Sequence, residues 1–517
     1  MEEPHIVCIA AGASHSLALT DCGIVASWGR GEDGQLGHGS SAEVSSPQAV
    51  SSLLGKDICI VRCGAEYSLA VSKAHEVYSW GWGDFGRLGH GNTTDQFLPK
   101  PITFFSGMII KEVTCGDTHT LVVTDMGELF TFGRNQNGQL GLGHTEDQLS
   151  PQRVEALQGH CVASVAGGAE HSIAATSQGK VFGWGWGRYG NLGTGQLEDK
   201  LVPTPAIALD AVHISKVNCG WRHSVAVSNH GVLYTFGWGK YGQLGHGDNT
   251  DQPTATPVAA LQGKVVVEVV GGWRHTLATD SSGSLYGWGW NKFGQLGLGD
   301  TVDRNTPCLV ASLDGSGVSL LASGWRHTLA VTQAGAVYSW GRGVNGQLGL
   351  REEEDRYQPT LLPSLSRGQL RREQLLATAQ LRCNSMELAD RYAVVPGADG
   401  QPHICPDSGF LPRPLPPNAL PSMLADEQGI EERCSGGVIS GLEDTAVPEV
   451  PEVSIAGTVA EESMGLGRNL QEGLGQGQGR LGWQGPPGQV WGEGRQGVPG
   501  KKARLVEGAA AASHVPL

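Results

Sequence analysis

The chain of 517 residues contains no apolar run long enough to cross a bilayer, and Met1-Glu2-Glu3-Pro4 lacks the basic-then-apolar pattern of a secretory leader. The expectation is a soluble protein of the cytoplasm and nucleus with no membrane partner. Basic charge is in deficit. Thirty-six Lys and Arg stand against 51 Asp and Glu, a net charge of −15, which argues against a generic nucleic-acid binder because phosphate neutralisation needs a basic surface. The 11 cysteines are odd in number and show neither disulfide nor zinc spacing, which points to a reducing compartment. No phosphate-binding loop or nucleophile motif occurs, so no enzyme is expected and no metal or cofactor is called for. Helix-length apolar periodicity is missing too.

What is present is a beat of 52 residues. Gly-Trp-Arg-His stands at Gly220–His223, Gly272–His275 and Gly324–His327, and the same step backward lands on Gly168, Gly116, Gly64 and Gly12. A Leu-Gly pair keeps time with it, from Leu36-Gly37 to Leu348-Gly349. Each unit reads as short β-branched and aromatic runs separated by glycine, as in Val61–Ser72 and Glu76–Gly81, followed by a Gly-rich loop, Gly81–Gly91, and a Pro-containing edge near Pro99. About four short strands per unit, seven times over, predict an all-β, seven-bladed β-propeller over residues 1–366, with one blade built from both chain ends. Residues 367–517 are rich in Gly, Pro, Gln and Glu and are expected to form a flexible, disordered C-terminal tail.

Several registers carry a structural meaning. Trp28, Trp80, Trp184, Trp288 and Trp340 share one register with Phe132 and Phe236, and read as inter-blade packing. His15, His119, His171, His223, His275 and His327, with Tyr67 in the remaining unit, are spread evenly and read as structural hydrogen bonding. Cys63, Cys115 and Cys219 precede the repeat glycine, where a small buried side chain is wanted. The position after that glycine is different: Ala13, Ala65, Asp117 and Ala169 give way to Trp221, Trp273 and Trp325, each followed by Arg (Arg222, Arg274, Arg326). Equivalent positions in a ring lie at one height, so three indoles become neighbours with guanidinium groups beside each. Taken alone, this pattern is equally a rim packing motif or a binding hot spot.

The repeat resembles the regulator of chromosome condensation family of seven-bladed propellers. Within it, three Gly-Trp-Arg-His copies, the block Gly81–Gly91 and the tail motif Asp390–Pro396 are similar to the plant UV-B photoreceptor family. That resemblance implies a photoreceptor with intrinsic tryptophan as its chromophore and no added cofactor. Trp273 would be the central sensor, Trp221 and Trp325 would complete the cluster, and Trp82 would face it from the partner subunit. It further implies a dark homodimer whose monomer, once freed by UV-B, binds a WD-repeat E3 ubiquitin ligase and WD-repeat repressors through Tyr392, Val394, Val395 and Pro396, within 390–397, to drive photomorphogenic and UV-protective gene expression.

Charge is arranged for such a pair. One loop register runs Glu32, Asp84, Gln136, Arg188, Lys240, Lys292, Val344, and the position after the Trp register sets Glu66 and Glu170 against the three arginines. Turning the disc over about a two-fold axis lays acid on base. The resemblance implies pairs of Arg274 with Asp84 and Asp95, of Arg326 and Arg134 with Glu170, and of Arg342 with Glu32. Asp95 also belongs to a register of acids from Glu43 to Asp355, most of which read as turn formers. The rival readings are a guanine-nucleotide exchange factor with chromatin as a partner, and a scaffold propeller without photochemistry.

Overall fold

The computed structural model describes residues 5–365 and the backbone of Tyr392–Pro396 and Pro402–Pro406. Among these residues are seven four-stranded antiparallel sheets, and the helical segments are single 3-10 turns. Blade 1 is made of Ile6–Ala11, His15–Thr20, Val25–Gly29 and Val44–Ala49, in that order. Blade 2 repeats the plan with Ile58–Cys63, Tyr67–Ser72, Val77–Gly81 and Gln96–Pro101, and blade 7 with Val318–Ser323, His327–Thr332, Val337–Gly341 and Arg356–Leu361. The second strand of every blade is buried at all six positions. The first strands line a central channel. The fourth strands form the outer edge and carry Pro47, Pro99, Pro151, Pro203, Pro307 and Pro359, where no ladder hydrogen bond is lost.

Among the described residues no blade is shared between the two ends of the repeat. All seven sheets are built from consecutive strands, which corrects the expectation of a composite blade. Closure instead repeats the contact made at other blade boundaries. Trp28 Nε1 donates to Gln347 O at 2.9 Å across the closing boundary, as Trp80 Nε1 does to Gln35 O between blades 1 and 2. Ile6, Ile9 and Trp28 of blade 1 pack with Leu329, Val331 and Val337 of blade 7. The aromatic register is the inter-blade core, with Trp28, Trp80, Trp184, Trp288, Trp340, Phe132 and Phe236 fully buried.

A second hydrogen-bonded ring lies inside the first. His15, His119, His171, His223 and His327 pair through Nε2 with Ser68, Ser172, Ser224, Thr276 and Ser16 of the following blade at 2.8–3.0 Å, and His275 pairs with Ser323 at 2.8 Å. Burial holds five of these imidazoles down to a pKa of about 3 and His327 to about 4, so all six are neutral. The preceding glycine makes room for the ring: a Cβ on Gly116 would lie 2.2 Å from His119 Cε1 and 2.5 Å from Gly168 O. Blade 2 substitutes Tyr67, whose hydroxyl donates to His119 O at 2.6 Å. The eight cysteines among the described residues are free; Cys219 is buried, Cys63 and Cys115 are half-buried, and burial raises all three thiols.

The backbone of Tyr392–Pro396 is extended and pairs antiparallel with Pro402–Pro406, Val394 opposite Ile404. The rest of the tail lies outside the described residues.

Candidate functional site

Two loop registers build one face of the disc. The backbone N–H of residues 30, 82, 134, 186, 238, 290 and 342 donates to the carbonyl of residues 14, 66, 118, 170, 222, 274 and 326 respectively, at 2.8–3.0 Å. Each Gly-Trp-Arg corner is thereby fixed against the Gly-rich loop of its own blade. Trp221 N–H donates to Gly272 O in the next blade, and Trp325 N–H donates to Gly12 O, so the corners are also tied around the ring.

This scaffold brings the three sequence-designated indoles together. Trp221 and Trp273 meet edge to face at 5.7 Å between centroids, and Trp273 and Trp325 stack at 5.9 Å with an 18° tilt. Arg274 lies 3.7 Å from the Trp273 centroid, Arg326 lies 4.7 Å from the same ring, and Arg222 lies 4.1 Å from Trp221. Arg274 also donates to Tyr241 Oη at 2.9 Å. Trp325 departs from the expectation of an arginine at each indole. Among the described residues no cation lies over its ring; the next blade offers Ser14 at that position, and Trp325 Nε1 instead donates to Asp117 Oδ1 of blade 3 at 3.3 Å. Burial pushes the Asp117 carboxyl up to about 6, against the Trp325 hydrogen bond.

Sequence reasoning missed half of the aromatic assembly. Trp186, Trp238 and Trp290 share the register of Trp82, and Tyr189, Tyr241 and Phe293 follow each by three residues. Trp186–Tyr189 (5.0 Å), Tyr189–Trp238 (5.6 Å), Trp238–Trp221 (5.7 Å), Trp273–Trp290 (5.4 Å) and Trp290–Phe293 (5.4 Å) join the triad into one continuous chain of rings over blades 4 to 7. The 52-residue step that revealed the triad would have revealed these as well. Trp82 stands in the same register in blade 2 and is partly exposed, with the Arg87 guanidinium 4.0 Å from its centroid.

The charged residues fall around the same face. Arg134 lies 4.7 Å from the Phe85 centroid and Arg342 lies 4.7 Å from the Phe293 centroid. Asp84 and Lys240 are exposed; Arg188 is exposed with Nε 3.9 Å from Asp199, and Glu32 pairs with Arg30. Glu170 lies 3.8 Å from Arg222 of its own chain. Asp95 is exposed and accepts from Gly83 N–H at 2.8 Å, and Asp147, Asp199, Asp251, Asp303 and Asp355 make the same turn-closing bond in their blades. Glu66 is not the surface acid its register suggested. It is mostly buried, accepts from Gln35 Nε2 at 2.7 Å, and burial pushes its carboxyl up to about 7.

A family model described as an RCC1-like domain matches residues 1–269 and again 110–380. The chain is 51% identical over 400 residues to the ultraviolet-B receptor UVR8 of Arabidopsis thaliana, covering 76% of this chain and 91% of that protein. It is 38% identical over 323 residues to the human E3 ubiquitin-protein ligase HERC2, where the match spans 62% of this chain and only 7% of the ligase. Among solved structures, human WBSCR16 superposes with a TM-score of 0.59 at 25% identity, covering 66% of this chain and 93% of that one. Yeast RCC1 (Prp20) does so with 0.58 at 23% identity, covering 65% and 82%, and shows the fold alone. The chain belongs to the RCC1-like domain family and, within it, to the family of the ultraviolet-B receptor.

Proposed function

We propose that this chain is a UV-B photoreceptor whose chromophore is its own tryptophan cluster, and that light separates a dark homodimer. The observation that carries this reading is the Arg274 guanidinium over Trp273, an indole in contact with both Trp221 and Trp325. Indole absorbs at the longest wavelength of the common side chains, and adjacent indoles share excitation. Cations on their faces couple that excitation to charge at the surface.

In this reading the disc face is self-complementary. The basic arc of Arg188 and Lys240, with Arg134, Arg274, Arg326 and Arg342, meets Glu32, Asp84, Asp95 and Glu170 of a second copy. Trp82 of each copy approaches the other's triad. Surface ion pairs contribute only about 0–1 kcal/mol each, so the pair depends on a network. The three shortest Trp–Arg contacts of the triad in each copy are Arg274 and Arg326 on Trp273 and Arg222 on Trp221. If all six hold their arginines in the pose the interface needs, losing them at roughly 0.5–1 kcal/mol each weakens the dimer by at most about 3–6 kcal/mol, or roughly two to four decades in affinity. The freed monomer offers the segment 390–397 to a WD-repeat E3 ubiquitin ligase and WD-repeat repressors, in cytoplasm and nucleus. Light scattering on purified protein tests the reading: dimer mass in darkness and monomer mass after UV-B are expected. A monomer in darkness would overturn it, as would a dimer that survives irradiation.

A further inference from the structure

Blade 2 breaks the ring's rules at three points at once, and they meet at Arg87, whose guanidinium lies over Trp82. The register of Arg87 is Gln35, Gln139, Asn191, Gln243, Gln295 and Gln347 in the other blades. There, five glutamine Oε1 atoms accept the N–H two residues back at 2.8–3.0 Å and so shape the loop. In the register of Tyr67 every other blade has histidine. At Phe85 the backbone turns left-handed, φ 62°, which no other non-glycine residue of that register does among the described residues.

The replacement parts fit one another. Arg87 is fully buried, and its Nε donates to Asp84 O at 2.9 Å. Its Nη1 and Nη2 find no hydrogen-bond partner among the described residues. They lie in a cage of three rings from the same blade, with the guanidinium carbon 4.0 Å from the centroid of Trp82, 5.5 Å from Phe85 and 6.0 Å from Tyr67. Such a cage holds a planar cation by its faces. The need for it follows from the neighbouring blade. Trp186 and Trp238, in the same register as Trp82, receive a cation from the next blade, Arg222 at 4.4 Å and Arg274 at 5.6 Å. The blade after Trp82 offers Thr118 at that position.

We infer that Arg87 is the positioning residue of Trp82: a cation supplied from the indole's own loop that fixes the ring at the disc face. Because it is buried, it stays in place when the face is uncovered, unlike the half-buried Arg222, Arg274 and Arg326. Trp82 is thereby gripped by a cation that lies beneath the face and not on it. Only its consequence for light response rests on the proposed photoreceptor function.

The test compares R87Q, R87K and the double variant Y67H/R87Q, each with and without W82F. The double variant restores the His–Gln pair of the other blades, with Thr120 placed to receive the introduced imidazole, and keeps the question open to measurement should R87Q fail to fold. The wild-type-minus-W82F difference in near-ultraviolet circular dichroism isolates the Trp82 signal. It should lose most of its amplitude without Arg87, acrylamide should quench that ring more readily, and R87K, which keeps the charge and loses the plane, should fall between. The UV-B dose for half-dissociation should rise in R87Q and show no further rise when Arg87 is removed from W82F. An unchanged Trp82 signal in a folded Arg87 variant overturns the inference, as does an equal dose shift with and without Trp82, which would make Arg87 a packing residue of blade 2. Dichroism that changes as expected in a protein that never dissociates would leave the positioning role intact and count against the photoreceptor reading instead.

Discussion

Acid should unfold this propeller from within, and the slope can be worked from the histidine ring. Six imidazoles have folded pKa values of about 3 to 4 because burial excludes their charged form, against an unfolded value near 6.5. A depressed folded pKa means the stability is complete above pH 6.5 and lost as pH falls, since only the unfolded chain takes up the protons. Three buried carboxyls act in the opposite sense: Glu66 and Glu112 are raised to about 7 and Asp117 to about 6 by burial, so the folded state takes up their protons first. At pH 5.5 the unfolded histidines hold about 5.5 protons and the folded ones almost none, while the carboxyls return about 2.5 in favour of the fold. The net difference is about 3 protons, or about 4 kcal/mol lost per pH unit. Lowered values at His38, His90 and His246 add in the same direction, and the Asp33 carboxyl, raised by burial, offsets part of that. Urea midpoints between pH 7.5 and about 5 read this slope as νU − νN. His223→Asn, at the site where burial alone sets the shift, should flatten it by about one proton, roughly 1.4 kcal/mol per pH unit. A midpoint independent of pH over that range would refute the neutral histidine ring.

Other consequences are as specific. Trp80→Ala empties an inter-blade position and removes the bond to Gln35 O, and should cost about 3–5 kcal/mol by urea unfolding. Gly116→Ala forces a methyl against His119 and Gly168 O, and should destabilise by more than about 2 kcal/mol, with a lowered thermal midpoint as the readout. Arg274→Ala should weaken the dark dimer in sedimentation, and wild-type dimer should loosen as salt rises through about 0.1–0.5 M; salt-independent association would argue for an apolar interface.

The fold was legible because the same residue types recur every 52 positions without slippage, so the Trp and His registers could be read as packing and hydrogen bonding before any coordinates. The triad was legible for the same reason. The closure was not: a cyclic repeat reads identically wherever it is cut, and only strand pairing shows that Ile6–Ala11 heads its own blade. Trp238 and Trp290 were legible in principle, but they lie 17 residues after Trp221 and Trp273, the indoles they touch, Trp186 reaches the cluster only through Tyr189, and contact between registers depends on loop height. The bond from Trp325 to Asp117 spans the channel between blades that are not neighbours, and no spacing rule reaches across a ring. Glu66 looked like surface charge because sequence gives position around the disc and not depth beneath it.

The central claim is that indole absorption at Trp273 breaks the dimer. Dimer mass followed against wavelength and dose, in wild type and Trp273→Phe, tests it most directly. The account requires wild-type dissociation to track the long-wavelength edge of tryptophan absorption, and the Phe variant to remain paired at the same absorbed dose. Dissociation of the variant at the wild-type dose would contradict it.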